Sequence, residues 1–383
     1  EQGFSTIHAA VVHKNPFITP ELENIYGDKA FVDETSMLPA ITEGNDPGDN
    51  VAYDYWDHVD YVVDKAKEHG LYLVFVTIFN MAEDEGYNLI NTDNAYNYGK
   101  FLGDRYKNKT NIIWCMGGDV LSDNDQRKAV WNLLAKGITE SVAGKEDYSK
   151  TLMTYHVRGG HSSSDYFENA PWIDFHMLQT WGGYTRIYGA VSKDYNNKSI
   201  KPVLHGEGAY EEGPEYPTKP ITPYKIRKQA YWATFAGGMH TYGNTNIWSF
   251  GTNAKYLTED WKEAVLSEGA KNMSVYQQFL QSINWWDFAP DQTVIIEGVG
   301  AGDSLNVAMR AVNTNQILVY LSGQVEVTLD VKTLTGSTKF SGEWINPKTG
   351  ERKRAGKFRN DKARKVKTPK GWEDALLLIG AKG

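Results

Sequence analysis

Two acidic side chains, Asp119 and Glu207, follow apolar runs of the same kind. Asp119 closes the segment 111–119 and Glu207 closes the segment 201–207, and glycine directly precedes each acid. This pattern is typical of a buried parallel strand whose carboxyl end opens on an active site. Hydrolysis of a glycosidic bond needs one carboxyl group to protonate the leaving oxygen and another to attack the anomeric carbon or activate water. The pair therefore predicts glycoside hydrolysis.

The same two acids also allow a structural interpretation. Asp and Glu often cap the helix that follows a strand, because they accept hydrogen bonds from its first N–H groups. In that case the chain would be a non-catalytic glycan-binding or adhesion protein. We favour catalysis because both acids stand at matching strand ends.

Polar and aromatic side chains after other apolar runs are candidates for sugar contacts. Tyr242 could hydrogen-bond the nucleophile, and Trp248 could form a platform beneath the −1 sugar. Asn80 begins a polar segment that an exposed acidic loop would explain equally well. The residues predicted to bind substrate on this basis are Asn80, His156, Gln179, Trp181, Tyr242 and Trp248.

Motifs for other chemistries are missing from the sequence. It contains no His-Glu-x-x-His, no Cys-x-x-Cys, no phosphate-binding Gly-x-x-x-x-Gly-Lys-Ser/Thr and no Gly-x-Ser-x-Gly. We therefore predict neither a metal nor a cofactor.

Strands and helices alternate through the first two thirds of the chain. The predicted strands are 4–12, 71–79, 111–116, 151–156, 173–180, 202–206 and 239–248, with helices that include 55–69, 126–142 and 224–235. Such alternation predicts parallel pairing in a (β/α)8 barrel or a doubly wound sheet, and acids at several strand ends favour the barrel. Seven strands are one fewer than the barrel needs, so we expect the first strand to lie upstream of Glu1.

The pattern changes after the predicted long helix 259–283. Short alternating strands separated by turn residues predict a small antiparallel β-sandwich. We therefore expect a barrel domain over residues 1–285 and a sandwich domain over 286–383. The predicted sandwich strands are 293–297, 305–312, 316–321, 325–330, 340–345 and 375–379.

Composition excludes several classes of protein. A net charge of −8 argues against nucleic-acid binding, and no apolar run approaches the length of a membrane span. Twelve tryptophans and 23 tyrosines suit a protein that binds oligosaccharide or polysaccharide, although a large aromatic core would explain them as well. A basic run over 352–370 could bind an acidic polysaccharide, but the exposed face of a hairpin is the simpler interpretation.

Five segments of the sequence form recognisable motifs: 55–72, 114–119, 159–164, 172–179 and 241–244. They resemble the apiosidase-like barrel family, whose best-understood branch is glycoside hydrolase family 140. The resemblance implies a secreted or periplasmic bacterial enzyme that cleaves pectin-type plant glycans, such as apiose-linked side chains. It also implies a retaining mechanism with Asp119 as acid/base and Glu207 as nucleophile. His8 replaces a common glutamine at a substrate-contact position, and Asn244 replaces a common histidine. The segment 286–379 is similar to the collagen-binding module that accompanies this barrel.

Overall fold

The first half of the chain alternates strands with helices, as its sequence predicts. The computed structural model describes residues 2–14, 21–79, 89–250, 257–311 and 313–380. The described residues of Phe4–Gln179 and Lys198–Pro202 form one unit, here called the N-terminal unit. Its elements are β1 (Thr6–Ala10), β2 (Phe31–Asp33), β3 (Leu38–Pro39), α1 (Tyr55–Glu68), β4 (Tyr72–Val76), α2 (Ala95–Tyr106), β5 (Ile112–Val120), α3 (Asp125–Ala143), β6 (Met153–Val157), α4 (Ser164–Phe167) and β7 (His176–Gln179).

Four of these strands form a parallel sheet in the order β1-β4-β5-β6. Phe75 of β4 lies opposite Trp114 of β5, and Trp114 lies opposite Met153 of β6. All three side chains are buried, because helices cover a parallel sheet and leave its central strands no face in water. The carboxyl ends of β5 and β6 therefore meet at the same edge of the sheet.

Two helices of this unit approach each other unusually closely. A Cβ atom on Gly99 of α2 would lie 2.4 Å from the Leu134 carbonyl oxygen of α3, and one on Gly137 would lie 2.3 Å from that of Tyr96. Only glycine allows the two backbones to come this close. The helix pair is therefore held by its sequence in one arrangement on the sheet.

The remaining described residues, Gln2, Gly3 and those of Thr180–Asn197 and Val203–Gly383, form the C-terminal unit. Within it β8 pairs in parallel with β9. Its elements are α5 (Ile187–Tyr195), β8 (Val203–Glu207), α6 (Pro223–Phe235), β9 (Met239–His240), α7 (Thr245–Ser249), α8 (Trp261–Ala264), α9 (Glu268–Gln281), β10 (Phe288–Pro290), β11 (Ile295–Glu297), β12 (Val307–Ala311), β13 (Gln316–Leu321), β14 (Glu326–Leu329), β15 (Lys339–Ile345), β16 (Arg352–Arg359), β17 (Arg364–Lys367) and β18 (Ala375–Gly380).

The antiparallel region predicted after the last helix is present. Its strands form a sheet in the order β10-β12-β13-β18-β15-β16 and a second sheet in the order β11-β14-β17. Side chains of both sheets share one apolar core, which includes Val319, Leu329 and Leu377. The sequence prediction omitted β10, β16 and β17. The last two are rich in exposed lysine and arginine, which hides the apolar alternation of a strand.

Two predicted elements differ from the structure. The long helix 259–283 is two helices, because α8 ends at Ala264 and Ser267 then caps a new helix, α9, by accepting a hydrogen bond from the Ala270 N–H. The strand 239–248 is only two residues long, and Asn244 begins α7 by accepting from the Asn246 N–H. In both places a capping side chain starts a helix inside a segment read as continuous.

The antiparallel region packs on α6 through a buried ion pair. The Arg227 guanidinium donates to both carboxylate oxygens of Asp374, at 3.0 and 3.2 Å. It also donates to Asn272 at 2.6 Å and to Glu373 at 2.9 Å, while the Tyr320 hydroxyl donates to Asp374 at 2.9 Å. Arg227 and Asp374 are almost completely buried, so each charge depends on the other. The domain boundary at 285/286 stays a prediction.

No helix among the described residues is long and apolar enough to cross a membrane.

Candidate functional site

Asp119 lies near the carboxyl end of β5, where the backbone leaves regular strand geometry. Gly117, Gly118 and Asp119 have φ angles of 84°, 143° and 56°, all in a region that favours glycine. The pairing of β5 with β6 shifts register here, between Gly117 and Val120. A Cβ on Gly117 would lie 2.4 Å from the His156 carbonyl oxygen, so glycine is required for the close approach. The strained backbone is typical of functional sites.

The imidazole of His156 is the neighbour of Asp119 in this unit. The Asp119 backbone N–H donates to His156 Nδ1 at 3.4 Å, and the Asp119 carboxylate oxygen Oδ1 lies 3.5 Å from the same nitrogen. His156 is only 3% exposed, whereas the Asp119 side chain is 20% exposed. The predicted acid thus has access to solvent, while the predicted substrate ligand His156 is held behind it.

His8 lies beside His156, with the two ring centroids 5.1 Å apart. Burial, together with the nearby His156, lowers the pKa of His8 to about 3, so His8 is neutral at ordinary pH. Its Nε2 is buried and has no hydrogen-bond partner among the described residues. A buried nitrogen without a partner is unusual, and a polar ligand would satisfy it.

Gln179 ends β7 and is also buried. Its backbone N–H donates to the His161 carbonyl at 3.1 Å, and its own carbonyl accepts from Gly160 at 2.8 Å. The side-chain oxygen Oε1 has no partner within the part of the chain that the structure describes. Gln179 thus has a buried oxygen available for a hydrogen bond at the end of β7, as His8 has a buried nitrogen within β1.

Glu207 ends β8 in the C-terminal unit and is partly exposed. Its backbone carbonyl accepts from the Thr180 N–H at 2.9 Å, which holds the segment 180–181 beside the end of β8. Trp181 follows with 44% of its surface exposed and with its ring 5.4 Å from that of Tyr216. A half-exposed indole in this position suits stacking on the apolar face of a sugar.

Two histidines lie behind Glu207. His205 Nδ1 is 3.0 Å from His240 Nδ1, and His205 Nε2 is 2.9 Å from the Thr180 hydroxyl. Burial lowers the pKa of His205 to about 3 and lowers that of His240 well below its usual range. Two neutral imidazoles therefore pack behind the acid. Sequence analysis did not select either histidine, although His205 lies two residues before Glu207 and therefore on the same face of the strand.

Tyr242 hydrogen-bonds an acid that sequence analysis did not select. Its hydroxyl donates to Glu211 Oε2 at 2.6 Å and is 3.0 Å from the Ser267 hydroxyl. Burial and the Glu211 carboxylate raise the pKa of Tyr242, so the phenol keeps its proton. The phenolic proton is donated to Glu211, and the predicted hydrogen bond to the nucleophile stays a prediction. A contact between Tyr242 and substrate stays a prediction.

Glu211 is itself a third acid near the end of β8, and sequence analysis did not select it. It is 2% exposed and accepts from the Ser267 hydroxyl at 2.7 Å and from the Gly269 N–H at 2.8 Å. These donors lie at the first turn of α9, where a negative charge is favourable. Glu211 thus connects the end of β8 to a distant helix.

Trp248 lies on the short helix α7 instead of at a strand end, and 41% of its surface is exposed. An exposed indole remains compatible with the predicted platform. Asn80 lies outside the described residues.

Neither predicted catalytic acid is the N-cap of a helix among the residues that the structure describes. The N-cap of α3 is Asn124, and that of α6 is Thr222, each accepting from a backbone N–H of its own helix. The structural interpretation of Asp119 and Glu207 therefore loses its main support.

Metal-binding potential in the N-terminal unit rests on Asp119 and His156, which offer one carboxylate and one imidazole. Both are common metal ligands, so this pair could form part of a metal site, although the sequence led us to predict none. Cys115 is not a suitable third, because burial raises the pKa of its thiol and keeps it protonated.

Comparison with known proteins identifies the family of this chain. Residues 1–287 match the family model described as "Apiosidase-like, catalytic domain", and 289–380 match "Putative collagen-binding domain of a collagenase". The comparison with curated proteins gave no match. A solved structure titled "Glycoside hydrolase" is similar at 29% identity and a TM-score of 0.84, over 100% of this chain and 86% of that one. A glycoside hydrolase family 5 structure from Bacteroides vulgatus is similar at 27% identity and a TM-score of 0.84, over 99% and 83%.

Proposed function

This chain belongs to the apiosidase-like family and is a glycoside hydrolase, and from that premise we propose a retaining enzyme that acts on a pectin-type plant cell-wall glycan. Apiose-linked side chains are the proposed target. The observation that carries the proposal is the setting of Asp119: a partly exposed carboxylate beside a buried imidazole, on a strained backbone, with no helix to cap.

The proposed mechanism uses two carboxyl groups. Glu207 attacks the anomeric carbon while Asp119 gives its proton to the departing glycosidic oxygen, which leaves a covalent glycosyl ester on Glu207. Asp119, now a carboxylate, takes a proton from water, and the resulting hydroxide displaces Glu207 and releases the sugar. Asp119 must therefore be protonated in the first step and ionised in the second.

The proposed substrate contacts divide into hydrogen-bonding and stacking groups. His8 Nε2 and Gln179 Oε1 are buried polar atoms without described partners, and each could bind a sugar hydroxyl. The exposed indoles of Trp181 and Trp248 could stack on sugar rings. His156, Tyr242 and Asn80 complete the proposed set.

The proposed scaffold is a (β/α)8 barrel, because parallel strands alternate with helices in both units and both acids end such strands. A location outside the bacterial cytoplasm, secreted or periplasmic, is proposed because plant glycan polymers are found there.

The decisive test separates the roles of the two acids. Wild type, Glu207→Gln and Asp119→Asn are incubated with rhamnogalacturonan II and a panel of other plant glycans, and the released sugars are profiled. We expect products from wild type alone. The anomer first released, followed by NMR, should have the configuration of the substrate, and the opposite anomer would contradict retention.

Chemical rescue assigns the nucleophile. Azide added to Glu207→Ala should restore turnover and give a glycosyl azide of inverted configuration, whereas azide with Asp119→Ala should give the retained one. The same anomer from both variants would contradict the assignment.

A further inference from the structure

The charge of the chain is distributed unevenly. Residues 339–370 contain 12 lysines and arginines against three acids, although the whole chain has a net charge of −8. The three acids are already paired: Glu343 with Arg352 at 2.8 Å, Glu351 with Lys353 at 2.9 Å, and Asp361 with Arg359. The excess of positive charge is therefore carried by the other basic side chains.

At its Lys339 end the β15–β16 hairpin separates apolar from charged side chains by face. Phe340 and Phe358 lie opposite each other and are buried in the core between the sheets. On the other face Lys339 lies directly opposite Arg359. Like charges directly opposite across two strands are destabilising. Asp361 offsets part of this repulsion by pairing with Arg359, so Lys339 is the cation of the two that has no carboxylate partner among the described residues.

These cations line a groove of about 530 Å³, here called the basic groove. Lys339, Lys357 and Lys362 have no carboxylate within 4 Å among the residues that the structure describes, whereas Lys365 is 3.6 Å from Glu326. The lining residues are Lys339, Lys357, Arg359, Lys362, Ala363, Arg364 and Lys365.

The two arginines of the groove are already engaged. Arg359 forms a two-pronged pair with Asp361, and Arg364 donates to the carbonyls of Lys357 and Ala355 with its guanidinium over the Phe358 ring. The groups left for a ligand are lysine ammoniums. These are point charges, whereas arginine forks are the preferred two-pronged partners of phosphate.

We propose that the basic groove binds a polysaccharide that carries carboxylates, namely a polymer of uronic acids. Single carboxylates spaced along a chain match separate ammonium groups. No lining residue of the groove is aromatic, so it lacks the stacking platform typical of single-stranded nucleic-acid sites. The family membership makes a glycan the natural polymer, and the inference does not depend on the proposed substrate or mechanism.

Binding of this kind has two expected properties. Exposed charge contacts are weak one by one and are screened by salt. A polymer presents many carboxylates, so several weak contacts act together and raise the overall affinity. We therefore expect binding to long uronate chains at low salt and its loss as salt rises.

The experiment is native electrophoresis of the full chain in gels that contain polygalacturonate or, as the neutral comparison, hydroxyethyl cellulose. The groove variant is Lys339→Gln/Lys357→Gln/Lys362→Gln. The control variant Lys67→Gln/Lys100→Gln/Lys271→Gln removes the same charge from exposed positions on α1, α2 and α9. Thermal unfolding verifies that each variant is folded, and the groove variant should not unfold earlier, because it loses a like-charge pair.

We expect polygalacturonate to retard wild type and control equally and the groove variant roughly tenfold less, with no retardation by the neutral polymer. Equal weakening in the control variant would overturn the groove in favour of net charge. Competition by double-stranded DNA as strong as by polygalacturonate, or groove-dependent binding to collagen, would overturn the glycan assignment. Glycan hydrolysis by wild type, the groove variant and the control variant should not differ. A failure of the groove proposal can therefore be told apart from a failure of the proposed enzymatic function.

Discussion

Asp119 and Glu211 are both carboxylates near the ends of parallel strands, but their surroundings are opposite. Glu211 is fully buried, and three donors, from Tyr242, Ser267 and Gly269, occupy its two oxygens. Asp119 is partly exposed and lies beside an imidazole on a left-handed backbone. A buried carboxylate whose oxygens already accept hydrogen bonds stabilises the fold, because its donors hold it in place. A carboxylate that must gain and lose a proton needs solvent and substrate at hand.

Asp119→Asn gives the largest expected effect. The amide cannot supply a proton, so kcat/KM on glycans should fall by about 10² to 10⁴, while the midpoint of thermal unfolding changes little. An aryl glycoside with an acidic leaving group should be affected far less, because such a group departs without protonation. An equal loss on both substrates would contradict the acid role.

Asp374→Asn extends the comparison to the other saturated acid. It leaves the buried Arg227 guanidinium without its buried charge partner and with only the exposed Glu373 carboxylate, which should lower the free energy of unfolding by about 3–5 kcal/mol. Urea unfolding measures the loss. Glu373→Gln is the matched control, since Glu373 is exposed and contacts the same arginine. Similar losses of unfolding free energy in the two variants would mean that the burial of Asp374 does not determine the size of the effect.

Glu211→Ala should cost about 1–3 kcal/mol of unfolding free energy, because three donors lose their acceptor in a buried place. The neighbouring exposed Glu212→Ala is the control and should have a small effect on the same urea curve. A stable Glu211→Ala protein that cannot hydrolyse glycans would reverse our distinction between structural and catalytic acids.

Tyr242→Phe has the smallest expected effect. It removes one donor to Glu211 but keeps those from Ser267 and Gly269, so the cost should be about 1 kcal/mol. KM and kcat measured together reveal whether the hydroxyl also contacts sugar. A rise in KM at unchanged stability would assign it to substrate and not to Glu211.

The strands were the most predictable part of the molecule. Apolar runs such as 71–79 and 111–116 contain β4 and most of β5, because burial on both faces of a parallel sheet demands continuous apolar sequence. The helix over 55–69 was equally visible from the spacing of its apolar residues and from Gly70 after it. Trp248 was misplaced, since Asn244 starts a helix where the apolar pattern continued.

The site was only half predictable. Glu207 and Glu211 are four residues apart in the sequence. The strand pattern favours Glu207 as the candidate catalytic acid, but it does not reveal the hydrogen bonds that Glu211 accepts. The Arg227–Asp374 pair joins residues 147 positions apart, and no local sequence pattern predicts it.

The sequence by itself determined which residues become strands and where acids follow them, because periodicity and capping are properties of neighbours along the chain. Only the tertiary structure decided which acid is saturated and which remains accessible. Glu211 is satisfied by Gly269, 58 residues away, and the exposure of Asp119 depends on how β5 bends against β6. Hydrogen-bond saturation is a property of neighbours in space, which local sequence does not encode.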